Sequence, residues 1–312
     1  MSVNGFNITF ITNPNAHEIV PSLKNFTTLH VPEGSSFDAL PQNLTCDILL
    51  IDHYAWTEND YRLAKGRFNN LIVISDAADK FINASIIIDQ NVGSTVNQYE
   101  GLHPENALML AGPKFALLNP DYKLFRDKAL KRHLKTSSVQ KVLINLGSSD
   151  QSLLLSKIIK TLNDHVEGFE FNVITGASHI NQNLHDRISD KNSWFFIKHT
   201  DAMASLMASA DMAIGAAGFS ALERCCLGLP TIQLIIADNQ HASTQVIKTM
   251  GACIAIDARG PINTDDLLNG FNKLLRSIHR KGISQKSSKI CDGKGAERVG
   301  KCITNLLKSR KS

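Results

Sequence analysis

The chain has 312 residues, 43% hydrophobic, 20% charged and 6% aromatic, which supports two domains with real cores and excludes a disordered or fibrous chain. The net charge of +4 is unevenly spread: Arg276–Ser312 holds eleven Lys or Arg against two acids, and the preceding residues sum to −5. That basic tail is interrupted by Gly, Ser and a stripe of Val299, Ile303 and Leu306 and lacks aromatics to stack bases, so it reads as a solvated helix face and no nucleic-acid partner is expected.

In chain order, short apolar runs alternate with longer amphipathic segments. Strands are predicted at Asn7–Ile11, Asp47–Ile51, Leu71–Ile74, Ile86–Ile88, Ala107–Leu110, Lys141–Leu146, Phe171–Ile174, Trp194–Ile197, Met212–Ile214, Thr231–Ile235 and Cys253–Ile256. Helical periodicity covers Glu58–Phe68, Ser152–Asn163, Asp201–Ala208, Phe219–Leu227 and His241–Met250. Strand then helix, many times over, predicts an α/β chain of two doubly wound, Rossmann-type halves, with ligands at the carboxyl ends of the strands and in the cleft between halves. The basic stretch Pro120–Gln140, with Lys123, Arg126, Lys128, Lys131, Arg132 and Lys135, reads as an exposed helix and connector, which puts the expected domains at residues 1–125 and 126–312.

Two loops in the C-terminal half carry the chemistry. After the strand ending at Ile214 come Gly215, Ala216, Ala217 and Gly218, which leave backbone N–H groups uncovered just before a helix that stops at Gly228 and Pro230. Such a loop accepts a phosphate, and it also occurs wherever a strand packs tightly on a helix. A second cradle, Gly147-Ser-Ser-Asp150, follows the first strand of that half. Ser220 and Glu223 fit the S-x-x-E capping box, the bland reading; the other is that Glu223 accepts both hydroxyls of a ribose diol. Asp238, Asn239, Gln240 and His241 end a buried strand in four polar side chains, and Asp52-His-Tyr54 and Asp89-Gln-Asn91 do the same in the N-terminal half, where turn chemistry is an equal reading.

Other chemistries lack their motifs. Eleven histidines form no H-x-x-x-H pattern, and there is no G-x-S-x-G elbow or Walker A loop, so neither a metal nor another cofactor is expected. The six cysteines (Cys46, Cys225, Cys226, Cys253, Cys291, Cys302) show no paired spacing and read as reduced, mostly buried thiols. Without a long apolar run or a signal-peptide pattern, the expectation is a cytoplasmic monomer with no membrane partner.

The run Gly215-Ala-Ala-Gly-Phe-Ser-Ala-Leu-Glu-Arg-Cys-Cys-Leu-Gly-Leu-Pro230 with Ala237-Asp-Asn-Gln240 resembles the UDP-2,4-diacetamido-2,4,6-trideoxy-β-L-altropyranose hydrolases of pseudaminic acid synthesis. Asp52-His-Tyr54, Ile74-Ser-Asp-Ala-Ala-Asp79, Tyr99-Glu-Gly101, Gly112-Pro-Lys-Phe-Ala-Leu-Leu118, Gly147-Ser-Ser-Asp150 and Asp292-Gly-Lys-Gly-Ala-Glu-Arg-Val299 fall in that family's order, so the likeness spans nearly the whole chain. The resemblance implies a GT-B fold similar to the peptidoglycan N-acetylglucosaminyltransferase, with a UDP-binding C-terminal half, a sugar-side N-terminal half, and metal-free attack of water at the anomeric carbon. By the same resemblance, the backbone near Thr200 reads uracil and Glu223 holds the ribose. Gly218, Phe219 and Ser220, with Ser148 and Ser149, hold the diphosphate; Tyr54, Asn239 and Gln240 face the sugar.

The family's opening G-x-G-H-x-x-R loop, whose histidine is taken as the base, has no match, so the catalytic residue is left unassigned. Gly5-Phe-Asn-Ile-Thr-Phe-Ile11 resembles the family's second strand, and the absent first strand is expected to leave two neighbours without ladder partners. An upstream in-frame segment is the favoured explanation, over an inactive paralogue or replacement of the strand; His17 and His53 are the weaker substitutes. A GT-B glycosyltransferase and a non-catalytic UDP-sugar-binding paralogue stand as alternatives to the hydrolase.

Overall fold

The computed structural model describes residues 2–3, 5–16, 20–147, 149–178 and 188–308. Contacts divide them into two units: Asp89 and Ala111 close the N-terminal one, and Gln90–Ser94 joins the residues from Gly112 onward in the C-terminal one. The two are described separately.

The N-terminal unit has β1 (Ser2–Val3) antiparallel to β2 (Phe6–Asn7), a parallel pair β3 (Thr9–Thr12) and β4 (Thr27–His30), and a parallel sheet of β5 (Leu49–Asp52), β6 (Leu71–Ile74), β7 (Ile86–Asp89) and β8 (Leu108–Ala111) in that order. Among the described residues β3 pairs only with β4, and β5 only with β6. Helix α1 (Glu58–Arg67) covers the four-stranded sheet, burying Tyr61 and Ala64 in a core with Ile51, Leu71, Val73, Ile87 and Trp56. Its start is fixed by a capping box in which Asp60 N–H reaches Thr57 Oγ1 at 3.3 Å and Thr57 N–H reaches Asp60 Oδ2 at 2.8 Å. Thr57→Ala should therefore lower stability by about 1 kcal/mol in urea titration, with no change in m-value.

The C-terminal unit is a six-stranded, all-parallel sheet in the order β11-β10-β9-β12-β13-β14, comprising β9 (Lys141–Asn145), β10 (Glu170–Ile174), β11 (Ser193–Ile197), β12 (Met212–Ala216), β13 (Thr231–Ile235) and β14 (Ile254–Asp257). Every residue of β12 and β13 is buried, which is why their sequences are unbroken apolar or small-residue runs rather than alternating ones. Helices cover both faces. On one, α2 (Pro120–Lys135), α4 (Met203–Ser209), α5 (Ser220–Leu227) and α6 (His241–Thr249) contribute Tyr122, Met207, Leu222, Cys226 and Ile247 to a single core. On the other, α3 (Ser152–His165) and α7 (Thr264–Leu275) pack Leu155, Ile158, Ile159, Leu267 and Phe271 against Val142, Ile144 and Ile214. The chain then runs through α8 (Ser277–Ser287) to α9 (Gly295–Lys308).

All eleven predicted strands occur, with ends shifted by a few residues, but Thr27–His30 was not among them because its half-exposed Thr-Thr-Leu-His lacks an apolar alternation. The expectation for residues 120–140 needs correcting: α2 buries Tyr122, Ala129 and His133 and packs on α4, α5 and α8, so it belongs to the C-terminal unit, and the contacts divide the chain at Ala111/Gly112 rather than at residues 125/126. The basic tail is not wholly a solvated face either. Arg280 is 3% exposed, its Nη1 donating to the carbonyls of Leu274 and Leu275 at 2.7 Å each and its Nη2 to Ser137 O at 3.0 Å. Val299 is buried as the stripe predicts, while Ile303 and Leu306 are half-buried. All six cysteines are free, four of them buried; Cys46 is exposed.

His133 on α2 is 3% exposed, and no partner reaches its Nε2 among the described residues. Burial, then the like charge of Arg132, drives its pKa down to about 4, with Asp211 opposing and Arg280 adding to the shift. The unfolded chain thus takes up a proton near pH 6.5 that the folded chain refuses, so the stabilisation is complete above that pH and is lost as pH falls toward 4. Between pH 7.5 and pH 5 the native protein should lose about 2 kcal/mol more in urea titrations than His133→Leu loses.

Candidate functional site

In a parallel sheet of this order the connections reverse direction between β9 and β12, and the crevice outside the carboxyl ends of those two strands is where such folds take ligands. Both loops singled out in the sequence begin there, because Asn145 of β9 lies in register with Gly215 of β12. Beyond β9, Gly147 adopts a φ of +94°, a left-handed turn that glycine permits, with its N–H on Asn145 Oδ1 at 3.0 Å. Ser149 is exposed, its Oγ accepting from Gln151 Nε2 at 3.3 Å, and Asp150 Oδ1 accepts from Ser152 N at 2.9 Å at the entrance of α3. Ser148 lies outside the described residues, as does His17.

Beyond β12, Ala217 N–H is spent on Leu234 O at 2.8 Å, and the chain then enters α5 with no side chain capping it. First-turn amides have no acceptor within their own helix, so Gly218, Phe219 and Ser220 present backbone donors and the positive dipole end at one point. Gly218 and Ser220 are half-buried and Phe219 is exposed, which leaves that point accessible. The arrangement can hold an anion.

The residue that shapes this loop is Arg224, which the sequence reading did not single out. It is 2% exposed, one turn into α5, and its Nη2 donates to Ala216 O at 2.6 Å and its Nη1 to Ser220 Oγ at 3.0 Å. A Cβ on Gly215 would lie 2.6 Å from Nη1 and 2.9 Å from Cζ, so the glycine is there to admit the guanidinium. Because Ser220 Oγ accepts from Arg224, its own O–H is left to donate outward. The available signal was an arginine on the apolar face of Ala-Leu-Glu-Arg-Cys-Cys-Leu, a place where a charge is buried only for a reason.

The capping box is not formed: Ser220 serves Arg224, and Glu223 receives a hydrogen bond from Tyr122 on α2. Burial raises the Glu223 pKa, with the Tyr122 hydroxyl and the Arg224 charge opposing. Tyr122 likewise escaped the sequence reading, since its partner is a hundred residues away along the chain.

The other C-terminal candidates also lie at strand carboxyl ends. Thr200 follows β11, its Oγ1 accepting from Ala202 N at 3.0 Å ahead of α4, and Met203 at the head of that helix touches Asn145. Gln240 turns its Oε1 to Ile236 N at 3.0 Å and leaves Nε2 3.7 Å from where a Cβ on Gly218 would stand, so β13's loop meets β12's. Asn239 is exposed beside it, on a turn braced by the Asp238–Arg259 ion pair at 2.6 Å.

In the N-terminal unit, Tyr54 is 77% exposed and donates to Asp76 Oδ2 at 2.7 Å, joining the carboxyl ends of β5 and β6. That bond, with burial and the neighbouring carboxylates, pushes its pKa up to about 12; burial and then Asp76 also raise that of Asp52. His53 accepts from Ala55 N through Nδ1 at 3.2 Å. Asp89 is buried under the Tyr99 hydroxyl at 2.9 Å, and Gln90 holds Leu117 N at 2.7 Å, so these two close turns. Among the described residues no three His, Cys, Asp or Glu are grouped to hold a metal ion, and no helix is long and apolar enough to cross a membrane.

A six-stranded parallel unit of this topology with its loops at the switch point, together with a parallel α/β N-terminal unit, defines a GT-B-like α/β protein. The chain belongs to the glycosyltransferase family 28 C-terminal domain family, which it matches over residues 141–298, half of its length. It is 27% identical over 206 residues to the spore coat polysaccharide biosynthesis protein SpsG of Bacillus subtilis (strain 168), covering 64% of this chain. The chain spans 59% and 53% of the lengths of the two curated relatives it matches. Its fold is similar to the crystal structure of MurG from Acinetobacter baumannii (TM-score 0.63, 13% identity, 96% of this chain and 91% of that one). It is also similar to the UDP-GlcNAc 2-epimerase of Neisseria meningitidis bound to UDP-GlcNAc (TM-score 0.59, 12% identity, 96% of this chain and 100% of that one). These last two likenesses bear on the fold.

Proposed function

We propose that the chain is a GT-B enzyme that binds a UDP-sugar on its C-terminal unit and hydrolyses it to UDP and free sugar, the sugar being a 2,4-diacetamido-2,4,6-trideoxyhexose on the way to pseudaminic acid. The observation that carries the reading is the pair of small-residue loops at the β9/β12 switch point, with uncapped amides at Gly218, Phe219 and Ser220. Glu223 accepts the ribose hydroxyls, Ser148 and Ser149 add donors to the diphosphate, Thr200 lies by uracil, and Tyr54, Asn239 and Gln240 take the sugar. As the bond to the anomeric carbon breaks, charge develops on the diphosphate oxygen, and fixed amides and the helix dipole stabilise it without reorganising. UDP-GlcNAc in the similar epimerase and the polysaccharide role printed for the SpsG relative support a nucleotide-sugar substrate. We assign the protein no resident metal or cofactor and a cytoplasmic site of action.

The match to a glycosyltransferase C-terminal domain favours a second reading, transfer to an acceptor hydroxyl. Incubation with the UDP-sugar decides: UDP and free sugar released in buffer alone support the hydrolase, and release only with an acceptor supports the transferase. Protection against thermal unfolding without turnover would leave a UDP-sugar-binding protein and overturn both.

A further inference from the structure

Arg224 carries its charge at 2% exposure, and among the described residues no carboxylate forms an ion pair with it. Its Nε has no partner, and its two printed acceptors, Ala216 O and Ser220 Oγ, are both groups of the loop after β12. Glu223, one position before it, is turned to Tyr122. Glu223 is thus a neighbouring anion but not an ion-pair partner, and a cation buried without a direct ion pair is costly and is kept where something compensates for it. The guanidinium packs against the loop at Gly215, and the same loop leads into the uncapped first turn at Gly218, Phe219 and Ser220.

We propose that Arg224 is a positioning residue of the anion site, holding the loop after β12 in the shape that receives the diphosphate of the bound nucleotide. The inference rests on the nucleotide reading above. Arg224 acts in two ways. It fixes the curvature of residues 215–220 by holding Ala216 O and Ser220 Oγ, so the amides converge before the ligand arrives. It also draws on the lone pair of Ser220 Oγ, which makes that hydroxyl a stronger donor to a phosphate oxygen across the loop. The guanidinium never touches the ligand; its charge reaches the ligand through backbone of low dielectric, where it is little screened. Lysine at this position would supply the charge but not the fork that holds two acceptors eight and four residues apart.

Calorimetric titration of the full chain with UDP and with uridine separates this role from a structural one. In Arg224→Met, which keeps most of the apolar volume, UDP affinity should fall at least about thirtyfold while uridine affinity stays within about twofold, and the unliganded unfolding temperature should drop because Ala216 O and Ser220 Oγ lose their donor. Arg224→Lys should recover part of the UDP affinity. Equal losses for UDP and uridine, or UDP binding by Arg224→Met within about threefold of the native protein, would overturn the proposal. Should Arg224→Met fail to fold, Ser220→Ala, which removes both the acceptor of Arg224 and the hydroxyl facing the phosphate, should cost UDP about tenfold and uridine nothing; no loss there sinks the idea equally. A native protein that binds neither ligand, or binds uridine as tightly as UDP, defeats the nucleotide-diphosphate reading itself, whereas a native preference for UDP that Arg224→Met keeps defeats only the part assigned to Arg224.

Discussion

Gly215→Ala should destabilise the chain by about 3 kcal/mol and remove measurable UDP binding, although it adds a single methyl group. Gly215 sits in a fully buried strand, and the new Cβ would stand 2.6 Å from Arg224 Nη1, 2.9 Å from its Cζ and 3.1 Å from Asn145 O. The carbonyl belongs to the ladder of the neighbouring strand and cannot withdraw without breaking it, so the guanidinium has to move. Moving it frees Ala216 O and Ser220 Oγ, and a hydrogen bond to a charged group contributes about 1.5–3 kcal/mol. The same displacement uncurls the loop to which the proposed function assigns the diphosphate. Gly218→Ala is the matched comparison: its Cβ meets only Gln240 Nε2, at an ordinary 3.7 Å, so stability should stay within about 0.5 kcal/mol while UDP binding at the proposed diphosphate site should still fall. Urea titration and calorimetry on both variants check this, and equal behaviour of the two glycines would refute the packing account.

That contrast marks the boundary of what the sequence disclosed. Gly215 and Gly218 lie in one small-residue loop and look interchangeable, and only the position of a side chain nine residues further on tells them apart. What periodicity and burial impose was legible: the parallel strands, their connecting helices, and the two loops ending β9 and β12, since a strand covered on both faces has few other ways to be written. Contacts between distant segments were not. Ser220-x-x-Glu223 obeys the local rule for a capping box, yet each member is claimed by a group the rule does not see, Arg224 in the interior and Tyr122 on α2. The charges of α2 suggested exposure because its buried side is short, amounting to Tyr122, Ala129 and a neutral histidine. Arg280 misled in the same direction, a basic residue in a basic tail whose guanidinium is consumed by carbonyls of the turns around it.

Glu223→Ala should weaken UDP binding about a hundredfold, and the loss should depend on the ribose. The carboxylate stands one turn into α5, half-buried, with the Tyr122 hydroxyl on it. One bond from tyrosine leaves most of its lone pairs for a ligand, and a diol offers two donors at matching separation. A carboxylate near a diphosphate is otherwise repulsive, so if it made no such bonds its removal would strengthen binding rather than weaken it. The discriminating ligand is 2′-deoxy-UDP. The native protein should prefer UDP over it by about tenfold, and Glu223→Ala should bind the two alike, because the contact that distinguishes them is gone. Since burial raises the Glu223 pKa, UDP affinity of the native protein should also begin to fall, as pH is lowered, above the pH where an ordinary glutamate protonates, and Glu223→Gln should lack that component. Tyr122→Phe removes the donor that favours the ionised form, so it should shift the fall to still higher pH while leaving the preference for UDP over its 2′-deoxy analogue in place at alkaline pH.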